Sequence, residues 1–236
     1  MANYLVIAAA SGIGQAVVTQ LRAEGHAVFT TARCDAVITP DATLDARDFS
    51  AVESVFAQAI EALGSIDGVV NCAGSLLLKS AGLTTQDQYQ ATIDSSLTTA
   101  FATVRAAGKL LTRGGSVVLV SSAAALEGLA NHEAIAAAKA GIIGLTLSAA
   151  ASYASSKLRF NAVAPGLTET PMTASLTQNP AARKASESMH ALGRLGTPED
   201  IARAIVFLLD PANSWITGQV LAVDGGLSRV RPKLKA

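Results

Sequence analysis

The sequence predicts a single-domain, doubly wound α/β fold in which helices cover both faces of a parallel β-sheet. Short apolar runs alternate with longer Ala-rich or amphipathic stretches along the 236 residues, a pattern typical of repeated βα units. The apolar runs lack polar alternation, which favours strands buried on both faces. Successive parallel strands are then expected to connect by right-handed crossovers.

Seven strands and five helices account for this pattern. The predicted strands are Tyr4–Ala8, Ala27–Thr31, Thr43–Asp45, Gly68–Cys72, Ser116–Ser121, Arg159–Ala164 and Val220–Val223. The predicted helices are Ile13–Ala23, Ala51–Leu63, Gln86–Leu111, Glu133–Ser152 and Pro198–Leu208. Only about a dozen residues separate the second strand from the third, so we expect that connection to lack a full helix. The long polar stretch 167–195, broken by Pro171 and Pro180, is expected to form a mobile substrate lid.

Composition argues against several kinds of partner. Eighteen basic and eighteen acidic residues disfavour a nucleic-acid surface, and the basic tail at 229–236 is expected to be a solvated end. Cys34 and Cys72 fit a reduced cytoplasmic compartment and have no metal-ligand spacing. The N-terminus lacks a secretion signal, and the most apolar helix, around residues 136–151, carries Lys139 and is expected to be too short for a membrane span. We therefore expect a cytoplasmic protein with no membrane or metal partner.

The first strand, turn and helix together predict a phosphate-binding turn. The strand runs into Ser11, Gly12, Ile13 and Gly14, and the helix follows at once. The two glycines let the backbone approach a ligand, and the helix N-terminus offers free N–H groups to a pyrophosphate. A plain tight turn is the alternative interpretation.

The end of the second strand favours NADP(H) over NAD(H). An acidic residue there would hold the ribose hydroxyls of NAD, but the chain reads Thr30-Thr31-Ala32-Arg33. The guanidinium of Arg33 suits a 2′-phosphate. An ordinary surface arginine remains the alternative.

With these residues placed, the chain resembles the short-chain dehydrogenase/reductase family from about Tyr4 to Leu227. The resemblance rests on motifs in the family's order: Ser11-Gly12-Ile13-Gly14, Asp45, Asn71-Cys72-Ala73-Gly74, Ser121-Ser122, Ala138-Lys139-Ala140-Gly141, Asn161-Ala162-Val163-Ala164-Pro165-Gly166, Gly218-Gln219-Val220 and Asp224-Gly225-Gly226.

The resemblance implies a Rossmann-type sheet of about seven strands and a set of cofactor contacts. Asp45 would lie at the adenine, with Ala46 beside it. The other implied contacts are Asn71, Ala73 and Gly74 along the cofactor, Lys139 at the nicotinamide ribose, and Pro165, Gly166, Thr168 and Thr170 at the nicotinamide. The family's usual assembly implies a homodimer or homotetramer formed through the helices after the fourth and fifth strands.

The chain departs from the family at the proton donor. The usual tyrosine stands four residues before the lysine, and here that position is Ile135, which cannot donate a proton. Lys139 is present, and Ser122 stands at the usual serine's distance. The family's supporting asparagine aligns with Ser96, and the first glycine of its turn aligns with Ala8.

Other residues are candidate proton sources. His132 shares a helical face with Ile135 and Lys139 if the helix already includes it, although a polar residue at the helix start is the simpler interpretation. Lys139 itself could relay a proton from solvent while Ser122 holds the substrate oxygen. Tyr153 and Lys157 match a Tyr-x-x-x-Lys search, but Lys157 lies about 27 Å along the helix from Lys139, so Tyr153 is expected to be interfacial or exposed.

Three functions stay open from the sequence. The leading hypothesis is an NADP(H)-dependent oxidoreductase that acts on a carbonyl or alcohol in an apolar small molecule, with a non-standard proton source. A second is a cofactor-binding sensor or oligomer partner that has lost catalysis, which would explain Ile135 and Ser96 together. A third is non-redox chemistry, such as isomerisation or elimination, with the cofactor purely structural.

Overall fold

The computed structural model describes residues 1–36 and 38–232, and it has one parallel sheet between two helical layers. The strands are β1 (Asn3–Ile7), β2 (Ala27–Ala32), β3 (Ala42–Thr43), β4 (Gly68–Asn71), β5 (Gly115–Val120), β6 (Leu158–Pro165) and β7 (Val220–Val223). Their order across the sheet is β3-β2-β1-β4-β5-β6-β7, and every neighbouring pair is parallel. The predicted doubly wound fold of about seven strands in one domain is confirmed.

Helices cover both faces of the sheet. The helices are α1 (Gly12–Ala23), α2 (Phe49–Leu63), α3 (Gln86–Ile93), α4 (Thr99–Leu110), α5 (Glu133–Ser152), α6 (Ala174–Thr177), α7 (Pro180–Met189) and α8 (Pro198–Leu209). Leu21 of α1 and Ile205 of α8 pack with Val70 in one core layer. Phe56 of α2 and Ile142 of α5 pack with Phe160 in the other. Because apolar contacts cover both faces, the strands need no polar alternation.

Two predicted elements were wrong in detail. The third strand is only Ala42–Thr43, so Asp45 lies in the loop that follows it. The predicted helix over residues 86–111 is interrupted by a π-helical turn at Asp94–Thr98. A π-turn holds one more residue than an α-turn, and such turns are frequent at functional sites. Ser96 lies inside it.

Helix α5 has the predicted bounds, Glu133–Ser152. Its 20 residues are long and apolar enough to cross a membrane by length and composition alone, so the expectation that it is too short was wrong. In this structure Ala138, Ile142, Thr146 and Ala149 of α5 are buried in the fold. Packing on the sheet therefore accounts for the apolar composition of this helix.

The predicted lid region, residues 167–195, has more secondary structure than its polar sequence suggested. It contains a 3₁₀ turn at Pro171–Thr173 and the helices α6 and α7. Asn179 caps α7, accepting hydrogen bonds from the amides of Ala181 and Ala182. Of the predicted basic tail, residues 229–232 are exposed, and residues 233–236 lie outside the described residues.

Candidate active site

A cavity of about 820 Å³ opens at the carboxyl ends of the strands. It spans the gap between β1 and β4, where the direction of strand succession reverses, which is the usual ligand crevice of an open α/β sheet. Fifteen of the predicted site residues line it: Ser11, Gly12, Ile13, Arg33, Asp45, Ala46, Ala73, Gly74, Ser122, His132, Lys139, Pro165, Gly166, Thr168 and Thr170. Gly14, Asn71 and Ser96 lie behind its wall.

The turn between β1 and α1 is built for close approach to a ligand. Ser11 caps α1 through its Oγ, which accepts a hydrogen bond of 3.0 Å from the Gly14 amide. A Cβ at Gly14 would lie 2.5 Å from the carbonyl oxygen of Ala8, so only glycine lets the helix pack this close to the strand. Ala8 itself has φ +59°, a conformation that favours glycine. The amides of the first helical turn therefore face the cavity from a rigid frame.

Charged side chains surround the end of the cavity next to β2. Arg33 is exposed, and its Nε lies 3.3 Å from Oδ1 of Asp35. Asp45 accepts hydrogen bonds from Arg47, which lower the pKa of its carboxyl to about 2. Asp35 and Arg47 both line the cavity and were missed from the sequence, although each stands two residues from a predicted contact.

Asn71 shapes the wall from behind. Its Nδ2 donates to Oγ1 of Thr103 at 2.9 Å, and its Oδ1 accepts from the amide of Ala73 at 2.8 Å. These two bonds fix the turn after β4. Asn71 therefore holds Ala73 and Gly74 at the cavity without lining it.

Lys139 is the buried cation of the site. Its Nζ donates to the carbonyl of Val120 at 2.8 Å, and its own carbonyl accepts from Oγ of Ser121 at 2.9 Å. Burial disfavours the charged ammonium and lowers its pKa to about 8, although the nearby Cys72 acts in the opposite direction. An ammonium in this environment exchanges its proton at physiological pH far more readily than a solvated lysine.

Ser96 lies close to this ammonium. A Cβ at Gly74 would lie 3.2 Å from Nζ of Lys139 and 3.9 Å from Oγ of Ser96, so both groups surround that glycine. The Ser96 hydroxyl is buried and has no hydrogen-bond partner among the described residues. A buried hydroxyl of this kind is a position for a bound water or ligand atom.

Ser122, His132 and Ile135 border the same part of the cavity. Oγ of Ser122 accepts a hydrogen bond of 3.1 Å from the amide of Ala124 and stays partly exposed. His132 is the N-cap residue of α5 and lies before its first helical residue. It therefore does not belong to the helical face that Ile135 and Lys139 share, as a role in proton transfer had assumed. Its Nδ1 lies 2.7 Å from the carbonyl of Ala130. Ile135, only 3% exposed, lies one helical turn before Lys139 and presents carbon to the cavity.

Tyr153 lies outside the cavity, at the far end of α5. It is half-buried rather than exposed: its ring packs against Phe160, with centroids 5.5 Å apart, and covers Gly108. The expectation that this tyrosine is exposed is corrected, because its ring packs against the core; a place at a subunit interface stays a prediction.

The remaining walls are largely apolar. These walls are formed by the segment between β4 and α3, the loop before α5, the lid region and the C-terminal segment. Their apolar residues are Leu76, Leu78, Leu129, Leu167, Met172, Leu176, Met189 and Leu227. The lid region also reaches the phosphate turn, since a Cβ at Gly12 would lie 3.0 Å from Cγ2 of Thr170. His190 joins this wall and was missed from the sequence, because its position depends on how residues 167–195 fold.

The two cysteines differ in their burial. Cys72 lines the cavity but is only 8% exposed, and this burial raises the pKa of its thiol to about 12. Cys34 is exposed. Within residues 1–36 and 38–232, no group of three or more His, Cys, Asp or Glu side chains could hold a metal ion.

The residues present fit a dinucleotide. Free amides at the start of α1 suit a pyrophosphate, Arg33 and Arg47 lie at one end of the cavity, and Lys139 lies at the other. The hydroxyls of Thr31 and Ser96, which have no hydrogen-bond partner in the described part of the chain, lie near these two ends. The cavity is therefore polar along the path that a dinucleotide would take and apolar beyond it.

Comparison with known proteins agrees with this geometry. The family model described as enoyl-(acyl carrier protein) reductase matches residues 7–228. The chain is 34% identical over 242 residues to 3-oxoacyl-(acyl-carrier-protein) reductase FabG of Thermotoga maritima, covering 94% of this chain and 96% of that protein.

Solved structures give the same result. A short-chain type dehydrogenase/reductase from Mycobacterium ulcerans superposes with a TM-score of 0.90 at 27% identity, over 98% of this chain and 91% of that one. ElxO, solved with NADP bound, superposes with a TM-score of 0.88 at 26% identity, over 96% and 99%. The chain therefore belongs to the short-chain dehydrogenase/reductase family and is an NAD(P)-dependent oxidoreductase of that type.

Proposed function

We propose that this protein is an NADPH-dependent reductase of apolar carbonyl compounds in which Lys139 supplies the proton that a tyrosine supplies in most of its family. The observation that carries the proposal is the buried Lys139 ammonium, with its pKa lowered to about 8, in the same cavity as Ser122 and one turn from Ile135. A general acid is most effective when its pKa lies near the operating pH.

Each side chain then has a distinct task. Oγ of Ser122 donates a hydrogen bond to the substrate oxygen and orients the carbonyl. Lys139 holds the nicotinamide ribose, stabilises the developing alkoxide electrostatically, and transfers a proton from Nζ to that oxygen. NADPH bound in the cavity would supply a hydride to the carbonyl carbon. The reaction would yield an alcohol, oxidised nucleotide and the neutral amine of Lys139, and solvent would then reprotonate that amine.

Ser96 supports the return of the proton. Its buried hydroxyl has no protein partner within the described residues, and it lies near Nζ of Lys139 around Gly74. A water bound there would connect the amine to the cavity. His132 is the other candidate donor, but it stands before α5 and its Nδ1 is already near a carbonyl.

Ile135 favours apolar substrates and takes no part in the proton transfer. Its side chain and those of Leu129, Met172 and Met189 form an apolar wall at the substrate end. A small or medium apolar ketone would gain from burial there, whereas a charged substrate would lose hydration without a matching partner. Loss of catalysis, with the chain acting as a nucleotide-binding sensor or oligomer partner, is the alternative that Ile135 and Ser96 favour.

Assembly and location follow as further proposals. Phe101 of α4 and Leu147 of α5 are large apolar side chains about half exposed on the helices after β4 and β5. These exposed side chains support a homodimer or homotetramer formed through the two helices. We also propose that the protein works in the cytoplasm without a membrane or nucleic-acid partner.

The pH dependence of reduction tests the proton donor. Lys139 must be protonated to act as the acid, so kcat/KM for NADPH-dependent reduction is expected to be flat below pH 8 and to fall above it. The measurement follows NADPH oxidation against a panel of ketones and quinones from pH 6 to 10. A fall that begins well below pH 8 would contradict Lys139 as the proton donor. NADPH binding without turnover across the panel would favour the sensor.

Nucleotide preference is tested at the charged end of the cavity. Arg33→Ala and Arg47→Ala are each expected to weaken NADPH binding about tenfold and to change NADH binding little, because only NADPH carries the 2′-phosphate. Titration of intrinsic or nucleotide fluorescence measures both. Arg113→Ala is the matched control, since this exposed arginine lies outside the cavity. Equal losses for both nucleotides would contradict the assignment.

A further inference from the structure

His190 is a buried histidine that the proposed chemistry does not use. It follows α7 as its C-cap residue and is 4% exposed. Its Nδ1 lies 2.7 Å from the carbonyl oxygen of Ser186, and its Nε2 lies 3.2 Å from the amide nitrogen of Leu167. A carbonyl only accepts and an amide N–H only donates. Nδ1 therefore donates to Ser186 and Nε2 accepts from Leu167, and these two bonds fix the orientation of the ring.

The ring joins three segments that are distant in sequence. It connects the end of α7 to Leu167, the first residue of the lid region, and it packs on the turn after β7. A Cβ at Gly166 would lie 2.7 Å from Nε2 of His190, and one at Gly225 would lie 3.6 Å from its Cβ. Glycine at position 166 therefore makes room for the imidazole, whereas a side-chain carbon at position 225 would be in ordinary van der Waals contact with it.

Asp224, a charged group next to the ring, does not compete for Nε2. Its Oδ1 accepts from the Gly226 amide at 2.9 Å, and its Oδ2 accepts from the amide and the hydroxyl of Ser228. The carboxylate is thus bound within its own turn. This leaves the Leu167 amide as the hydrogen-bond partner of Nε2.

The run that begins at Leu167 forms one wall of the cavity. Thr168 donates through Oγ1 to the carbonyl of Gly166 at 3.1 Å, and Thr173 donates through Oγ1 to the carbonyl of Thr168 at 2.5 Å. Thr170 then packs on Gly12 of the phosphate turn. Because these contacts follow in series, a shift of Leu167 would move the whole wall.

We propose that His190 is a positioning residue that holds Leu167, and with it the lid region, against the nucleotide and substrate cavity. It acts through the Leu167 amide and takes no part in proton transfer. Its loss is expected to weaken ligand binding more than it slows the chemical step. Only the nucleotide-binding and turnover readout depends on the proposed reductase function.

Two near-isosteric variants separate the hydrogen bonds. In His190→Gln the side-chain amide oxygen reaches the position of Nε2 and can still accept from Leu167. In His190→Asn the shorter amide reaches only the position of Nδ1, so the bond to Ser186 remains and Leu167 loses its acceptor. Ser188→Ala, an exposed position on the same helix, is the control.

The first readout is independent of activity. Lys184 is exposed on α7, so trypsin cleavage after it reports how often the lid region opens. We expect cleavage of His190→Asn to be about tenfold faster, with His190→Gln and Ser188→Ala within about twofold of the parent chain. The second readout is binding and turnover, where the Kd for NADPH and the KM for a ketone rise about tenfold in His190→Asn while kcat changes less than about threefold.

Either of two results would overturn the proposal. One is equal behaviour of the Asn and Gln variants, because the Leu167 bond would then make no difference. The other is a loss of kcat in proportion to a lowered Tm, which a merely structural histidine would give. If the parent chain neither binds NADPH nor turns over, the proposed function fails, and the proteolysis comparison still decides the part played by His190.

Discussion

Lys139→Met is expected to lower kcat for carbonyl reduction by about 10²–10⁴, because it removes the proposed general acid while keeping most of the side chain's length. The variant also leaves the Val120 carbonyl without its donor and Ser122 without a neighbouring cation. NADPH oxidation at saturating nucleotide and ketone measures the loss. Thermal unfolding of the same preparation shows whether the fold is intact.

Lys139→Arg distinguishes proton transfer from electrostatics. Arginine keeps the positive charge but does not release a proton in the accessible pH range. We expect it to be nearly as inactive as Lys139→Met and to lose the fall in kcat/KM above pH 8. Lys157→Met is the control, since this exposed lysine lies past the far end of α5. If Lys139→Met keeps activity within threefold of the parent chain, the proton comes from His132 or from solvent and not from Lys139.

Ile135→Tyr is expected to raise kcat by roughly 10²-fold, since it restores a phenol one helical turn before Lys139. The site around it would already be complete, because Ser122 and Lys139 line the same cavity as Ile135. The nearby ammonium would favour ionisation of the phenol and bring its pKa closer to neutral. Single-turnover reduction of the most active ketone gives the rate of the chemical step directly.

Ile135→Phe is the matched control for that gain. It adds the same ring without the hydroxyl, so it reports the effect of volume and packing alone. We expect no gain from it, and a loss if the ring crowds the buried end of α5. Equal gains from Phe and Tyr would show that substrate fit, rather than proton supply, limits the reaction.

Periodicity was enough to predict the sheet and most helices, because buried parallel strands and amphipathic helices each leave a regular pattern. It failed where the backbone departs from regular geometry. The π-helical turn at Asp94–Thr98 adds one residue to an otherwise helical pattern, and apolar spacing does not reveal that insertion. The third strand is two residues long because it forms only an edge pair with β2.

The candidate site divides in the same way. Ser11 could be predicted because it stands in the turn after a recognisable strand, and the carboxyl ends of parallel strands meet at one edge. Asn71 and Ser122 were implied by the family resemblance. Arg47 and His190 could not be predicted, since their nearness to the cavity depends on a loop conformation and on the fold of residues 167–195. Cooperative burial sets the pKa of Lys139, and sequence spacing carries no information about it.

The strand order also has a consequence for biosynthesis. β1, the first strand to leave the ribosome, lies inside the sheet, and each later strand pairs with one that has already been made. β2 and β3 extend the sheet to one side, and β4, β5, β6 and β7 then extend it to the other in the order of translation. Each new strand can therefore pair with a strand that has already been synthesised. A chain that stalls before Val220 would carry β6, its longest strand, as a bare edge open to aggregation.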